Sequence, residues 1–328
     1  MEMFRNSNIE MLYCSRSGSI EHSLRQRDIQ HVPITELSVR EIRRVSKDFD
    51  VDIIHAHDFR ASVLAASSFK GRIVSHIHHN PSWIRKYGLN SITYLLATAR
   101  FSTVVGVSHS VFDEYVFGDL LRQKSMVMGN QVDISYIRRQ SERQAEETRD
   151  DGPFDIVFLG RLSQPKNPRR FLDIVEKVKR MKPDLRVIMI GDGELRAEIG
   201  AEVEKLGLRE NILMTGFLDN PYPLVSKSKV LCMTSRWEGF GLAAVEGLSL
   251  GLPVVCTDCG GLRQIVDEMC GKTCRTDSEF VYEILKLLDD HEYYEEKSRQ
   301  AELRSYEFDN ISAYREQLEK IYLGDSWV

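Results

Sequence analysis

Short runs of apolar and β-branched residues, each followed by a stretch with helical spacing, recur along the whole chain, and no other feature limits the fold as much. In the first half the strand candidates are Ile9 to Cys14, Val51 to Ala56, Arg72 to Ile77, Thr103 to Val107 and Ser125 to Met128. Helical stretches such as Val39 to Lys47, Arg60 to Ser68 and Ser91 to Arg100 lie between them. In the second half the strands are Asp155 to Gly160, Leu185 to Ile190, Ile212 to Thr215, Val230 to Met233 and Pro253 to Thr257. Their helices are Asn167 to Met181, Glu194 to Leu206, Pro221 to Ser226 and Gly241 to Leu250. A strand that is apolar throughout must be covered on both faces, which calls for a parallel sheet between layers of helices. The series occurs twice, so two doubly wound, Rossmann-like α/β domains are expected.

A polar stretch, Arg138 to Gly152, separates the two series, lacks an apolar face and reads as a linker. The expected layout is an N-terminal domain over residues 1–140, a linker over 141–153 and a C-terminal domain over 154–305. A final segment, 306–328, carries apolar residues at helical spacing from Ile311 to Tyr322 and is expected to pack back on the N-terminal domain. Ligands of open α/β sheets bind beyond the carboxyl ends of the strands, so the site is expected in a cleft between the domains.

The chain has 328 residues, too many for one ordinary domain and comfortable for two. With 42% hydrophobic and 28% charged residues it fits a globular protein, not a disordered or collagen-like one. No apolar run reaches the roughly 18 residues that a membrane helix needs. The opening MEMFRNSNIE lacks the apolar core of a signal peptide, and a cytoplasmic protein is expected. Up to Asp150 there are 20 Lys and Arg against 18 Asp and Glu, while the remainder carries 24 against 31. The relatively basic first half suits peripheral contact at the anionic inner face of a membrane, or a pyrophosphate acceptor; a mixed solvated surface would look the same. No basic or aromatic pattern points to nucleic acid. Cys256, Cys259, Cys270 and Cys274 imitate zinc spacing. Cys256, however, ends an apolar strand, where a buried thiol is ordinary, so reduced thiols are expected and no metal.

Three loops carry chemistry. After the strand Asp155 to Gly160 come Arg161 and Lys166, two cations before a helix that Asn167 would cap and Pro168 would open. Cations between a strand end and a helix N-terminus suit a diphosphate, although exposed loop cations are the plainer reading. Gly191 and Gly193 follow the strand Leu185 to Ile190 and would let a ligand approach the backbone. Arg196 holds the last glycine position, so the dinucleotide fingerprint is absent. The strongest segment is Glu238-Gly239-Phe240-Gly241-Leu242-Ala243-Ala244-Val245-Glu246, after the strand Val230 to Met233. Its glycines permit a tight turn whose amides face phosphate oxygens at the start of a helix. Glu238 and Glu246 are carboxylates that could each accept hydrogen bonds from the hydroxyls of a sugar, against the plainer reading of a capped helix with an exposed Glu.

The E-x7-E pair at Glu238 and Glu246, preceded by the Arg161 and Lys166 loop and followed by Gly251-Leu252-Pro253-Val254-Val255 and Gly260-Gly261, resembles glycosyltransferase family 4, the retaining enzymes of GT-B fold. The texture resembles bacterial exopolysaccharide and capsule transferases. The resemblance implies that Glu238 contacts the donor hexose and Glu246 the ribose. It implies that Arg161 and Lys166 neutralise the diphosphate, and that the backbone from Gly239 to Leu242, through Phe240 and Gly241, supports it beside Gly160. No divalent metal and no cofactor is implied beyond the nucleotide sugar, for which UDP-sugar is expected. Five histidines, His55, His57, His76, His78 and His79, fall at two strand ends and would also suit a metal. The resemblance instead places His78 near the transferred sugar, the others being hydrogen-bonded strand-end histidines. Ser108, Asn130, Gln131 and Asp133 also match family positions, where glycine is commoner than Gln131. Two departures stand out. The family's first strand and glycine-rich loop, about 30 residues, are not found ahead of Ile9 to Cys14, and Gln264 stands where the family often has Glu.

The reaction so implied is transfer of a hexose, with retention, to a glycan or lipid-linked saccharide in bacterial surface polysaccharide synthesis. The rival readings are a non-catalytic sugar-nucleotide-binding subunit of a transferase complex, and a sugar-nucleotide epimerase of the same fold.

Overall fold

The computed structural model describes residues 1–18, 20–143 and 152–324. The chain forms two compact units, one of Met1–Gly129 with the C-terminal segment from Ile311, the other of Asn130–Asn310. Most of the stretch read as a linker lies outside the described residues. Its first residues, Arg138 to Ser141, are helical, as the end of the helix Ile134–Ser141; there Gln140 is buried, and Arg138 donates from Nε to the Ser249 carbonyl at 3.0 Å.

In the first unit, β1 (Tyr13–Arg16) and β2 (His31–Ile34) form a two-stranded parallel sheet. A second parallel sheet has β3 (Ile53–His57), β4 (Arg72–Ile77), β5 (Thr103–Gly106) and β6 (Ser125–Val127) in chain order. Strand β1 begins four residues later than its apolar run, because Ile9 and Met11 pack against a cluster with Phe4, Val74 and Val105 instead of entering a ladder. Strand β2 escapes sequence reading because it is four residues long and carries Pro33, a residue confined to sheet edges. The helix Ile311–Leu323 belongs to this unit and buries Leu318, Ile321 and Tyr322 in the same cluster.

The second unit is one six-stranded parallel sheet of β7 (Phe154–Leu159), β8 (Val187–Ile190), β9 (Ile212–Gly216), β10 (Ser228–Met233), β11 (Val254–Thr257) and β12 (Gly271–Cys274). The order is β12-β11-β10-β7-β8-β9. Chain order reverses between β7 and β10, where Val230 lies beside Ile156 and Leu231 beside Val157. Such a reversal opens a crevice beyond the carboxyl ends of the two central strands. The edge strand β12, Gly-Lys-Thr-Cys, has no apolar run to announce it. Its core gathers Ile156, Phe158, Val187, Met189 and Val230 of the strands against Phe171, Leu172, Val175 and Val178 of the helix Pro168–Met181. Cys232, Cys256, Cys259, Cys270 and Cys274 are buried free thiols, and burial pushes Cys270 to about 11 and Cys274 to about 12.

Candidate functional site

The loops after β7 and β10 meet at the reversal point. Thr234 Oγ1 donates to the carbonyls of Lys166 and Asn167 at 3.2 and 3.0 Å, and the Arg236 amide donates to Pro165 O at 2.8 Å. These bonds hold Lys166 against Glu238, whose Oε2 accepts from Lys166 Nζ at 2.6 Å and from Ser235 Oγ at 3.1 Å. The carboxyl side chain of Glu238 is mostly shielded. The aliphatic part of Lys166 lies across Gly160, close to where a Cβ would stand there. A charge-assisted pair this short and half-buried fixes both side chains.

Arg161 is not brought to this pair. Its exposed guanidinium reaches Glu194 at 3.3 Å, a surface ion pair of little worth. Asn167 occupies the cap position before Pro168 in a left-handed backbone, but its side chain makes no capping bond. Its Oδ1 instead accepts from Arg236 at 3.4 Å. Glu246 lies in the helix Leu242–Ser249, half-buried, and accepts from the Tyr222 hydroxyl at 3.4 Å. Burial pushes its carboxyl above the ordinary range, against the pull of Tyr222 and Lys166. Ser235 and Tyr222 were not singled out from sequence. A serine three residues before Glu238 at a strand end was the only local signal for one, and nothing local marks the other.

Tight backbone approaches shape the crevice. Gly260 has φ +51°, and a Cβ there would stand 1.8 Å from the Glu238 carbonyl oxygen, which accepts from the Gly261 amide at 3.0 Å. Gly191 has φ +135°, and a Cβ would stand 2.1 Å from the Gly160 oxygen. Gly193 packs against the Leu162 carbonyl. Phe240 is buried with its ring edge-on to Phe308 at 5.9 Å, while the Leu242 side chain is exposed. In the first turn of the helix Leu242–Ser249 the amides of Ala244 and Val245 donate to the Gly241 carbonyl, and a Cβ on Gly241 would stand 3.6 Å from Glu238 Cγ, which puts the start of this helix beside Glu238.

In the first unit β3 and β4 pair with His57 beside His76. Alternation puts His55, His57, His76 and His78 on one face, towards the helix Ile311–Leu323. His57 Nδ1 and His78 Nε2 are 2.7 Å apart, His55 Nε2 and His76 Nδ1 3.1 Å, and His55 Nδ1 lies 2.5 Å from the Tyr322 hydroxyl. Burial, aided by the neighbouring imidazoles, lowers His55 to about 3 and His57 to about 4, and lowers His76 and His78 as well. His79 stands apart, held above its usual range by Asp58 at 2.8 Å. Burial alone would raise the Asp58 carboxyl, but His79 and the His78 amide together hold it low. Ser108 bonds Ser110 at 2.7 Å, Asp133 caps the helix Ile134–Ser141, Gln131 accepts from the Asn310 amide at 2.7 Å, and the Gln264 carbonyl accepts from Arg304.

The profile described as Glycosyl transferases group 1 matches residues 139–304, and that described as Glycosyltransferase Family 4 matches residues 16–136. The chain is 26% identical over 246 residues to an uncharacterized glycosyltransferase, MJ1059, of Methanocaldococcus jannaschii, covering 69% of this chain and 60% of that one. It is 32% identical over 173 residues to the N-acetylgalactosamine-N,N'-diacetylbacillosaminyl-diphospho-undecaprenol 4-alpha-N-acetylgalactosaminyltransferase of Campylobacter jejuni, covering 52% and 46%. The chain thus spans less than two thirds of the length of either relative. The crystal structure of Anabaena Alr3699/HepE in complex with UDP and glucose superposes with a TM-score of 0.80 at 20% identity, covering 96% and 92%. That likeness shows the fold, which is GT-B.

Gly260→Ala should displace the Glu238 loop and destabilise the protein by about 1–3 kcal/mol, read as a lowered Tm; an unchanged Tm would mean that the loop yields freely. Acidification offers a second check. Because the folded histidines titrate below the 6.5 of a free imidazole, the unfolded chain takes up protons first. Stability is therefore full above that pH and falls as pH drops below it, by roughly 1.4 kcal/mol per pH unit for each histidine that stays neutral in the fold. Urea unfolding between pH 7 and 5, compared with His55→Gln, measures it; equal slopes in the two proteins would refute the assignment to His55.

Proposed function

The chain belongs to the Glycosyl transferases group 1 family, and from that premise we propose that it moves a hexose from a UDP-sugar to a glycan or lipid-linked saccharide, with retention, in the synthesis of a bacterial surface polysaccharide. The observation that carries this reading is the Lys166–Glu238 pair at 2.6 Å, set where the sheet order reverses and beside the first amides of the helix Leu242–Ser249. Without a ligand the ammonium and the carboxylate neutralise each other. A nucleoside diphosphate sugar offers each a better partner, phosphate oxygens for Lys166 and sugar hydroxyls for Glu238. Glu246, one to two helical turns further on, would take the ribose. Arg161, exposed and loosely paired, is free to swing to the diphosphate. His78 is proposed as a sugar-hydroxyl ligand. UDP as the base is supported by its presence in the HepE complex, and a lipid-linked acceptor by the name of the Campylobacter relative.

In the proposed reaction the bond from the anomeric carbon to the diphosphate breaks and positive charge grows on the sugar ring. Lys166, Arg161 and the amides from Gly239 to Leu242 stabilise the departing negative charge. The acceptor hydroxyl attacks from the face that the diphosphate leaves, and a leaving phosphate oxygen takes its proton. Glu238 orients the hexose.

A membrane-linked acceptor would call for a surface that meets lipid. No helix of the described residues is long and apolar enough to cross a membrane. On the helix Leu89–Ala97, however, Leu89, Ile92 and Leu96 form an exposed apolar stripe, continued by Tyr87 and flanked by Arg85 and Lys86. Peripheral contact with an anionic bilayer is proposed there.

Millimolar UDP should raise Tm by several degrees, since a ligand at about 100 times its Kd adds roughly 2.7 kcal/mol. Lys166→Ala should abolish the shift. Glu238→Gln should keep UDP binding yet lower turnover of the UDP-sugar roughly 10- to 100-fold. A shift with NAD and none with any nucleoside diphosphate would sink the reading. The membrane proposal is tested by co-sedimentation with vesicles containing phosphatidylglycerol: Leu89→Glu with Leu96→Glu should release the protein, and unchanged sedimentation would refute the assignment to that helix.

A further inference from the structure

We infer that His55, His57 and His76, with His78 alongside as a fourth imidazole, form a binding site for one divalent transition-metal ion of the imidazole-seeking kind, Zn²⁺, Ni²⁺ or Cu²⁺. The site is built by the sheet. Strands β3 and β4 run parallel with His57 beside His76, and the two-residue period brings His55 and His78 onto the same face. The result is a compact array whose neighbouring ring centroids are 4.7 Å (His55–His57), 5.2 Å (His55–His76), 5.0 Å (His57–His78) and 4.2 Å (His76–His78) apart. One ring nitrogen from each of His55, His57 and His76 lies within 4.8 Å of the other two. Nitrogens bound to one ion at about 2.0–2.1 Å would stand about 3.3 Å apart, so rotations about the side-chain torsions close the set without moving the strands.

Three observations favour a metal over a purely hydrogen-bonded cluster. His76 is 1% exposed, and its Nε2 is buried without a partner among the described residues. An uncompensated buried nitrogen is costly, and an ion would relieve it. His55 Nδ1 is already engaged by the Tyr322 hydroxyl, the outer-shell contact that fixes the tautomer and orientation of a ligating imidazole, and its Nε2 points into the cluster, 3.1 Å from His76 Nδ1, where an ion would take the place of that contact. The cluster also has a door, because His57 is open to solvent while His76 closes the bottom. The donor set is all imidazole, which suits late first-row ions and not Mg²⁺ or Ca²⁺. Asp58, next in sequence to His57, adds a negative charge beside it while bonded to His79 and the His78 amide. The inference rests on His55, His57 and His76, which the transferase reading does not use, so either can fail while the other stands.

The experiment uses the full, untagged chain, stripped with EDTA and then titrated with Co²⁺ as the spectroscopic probe and Zn²⁺ as competitor. One ion per chain is expected, with d–d bands of a four- or five-coordinate nitrogen site that Zn²⁺ abolishes. His55→Ala and His57→Ala should each weaken binding at least 100-fold, and Tyr322→Phe about 10-fold, the size of an outer-shell effect. Should the alanine variants fold poorly, the wild type answers alone: substoichiometric Co²⁺ should broaden away the ring signals of these histidines first in its NMR spectrum. Less than a tenth of an ion per chain would overturn the inference, as would unaltered binding by a folded variant lacking both His55 and His57. A thiolate-to-cobalt charge-transfer band would place the ion on the buried cysteines and overturn it equally.

Discussion

The pairing of β7 with β10 is the constraint from which the rest of the second unit follows. These strands are distant in sequence, and between them the winding of the sheet changes direction. The loops that leave their carboxyl ends satisfy backbone groups on each other. Thr234, Arg236 and the Gly261 amide do so, bonding to Pro165, Lys166, Asn167 and Glu238 across loops that never touch in the sequence. The crevice is a by-product of strand order, and its shape is set by backbone that approaches too closely for any side chain at Gly191 or Gly260.

Charge is distributed to match. Lys166 and Glu238 cancel each other where both are largely shielded, whereas Arg161 waits in solvent. A shielded pair is held strongly but pays for its desolvation, so a ligand that hydrogen-bonds both partners can displace one from the other with little net loss. The histidine face of the first unit solves the opposite problem. Four rings that could carry positive charge are crowded together, and burial with mutual repulsion keeps them neutral. Each neutral ring has one donor and one acceptor, and four rings with one tyrosine do not satisfy every nitrogen.

Both units were legible from periodicity because the central strands carry apolar, β-branched runs such as Ile73-Val74, Val104-Val105 and Val254-Val255. Arg72–Ile77 was read to the residue, and Thr103–Gly106 and Val254–Thr257 to within one. Reading failed at the edges. There, burial on one side only leaves short strands such as His31–Ile34 and Gly271–Cys274 without an apolar run. The positions of Lys166 and Glu238 in loops that follow β7 and β10, and of Glu246 in the helix after, were legible as well, since glycine and charge after an apolar strand mark where the strand ends.

The sequence by itself determined the two α/β units and the family, and it marked the loops after the strands in which charge and glycine gather. Only the tertiary structure decided which of those residues meet. It paired Glu238 with Lys166 and not Arg161, gave Glu246 to Tyr222, and stacked His55, His57, His76 and His78 into one array. The reason is that periodicity reports the face on which a side chain stands, a local property, while strand order and register are set by non-local backbone pairing. A one-residue slip of β3 against β4 would scatter the histidines, yet nothing within either strand alone forbids it.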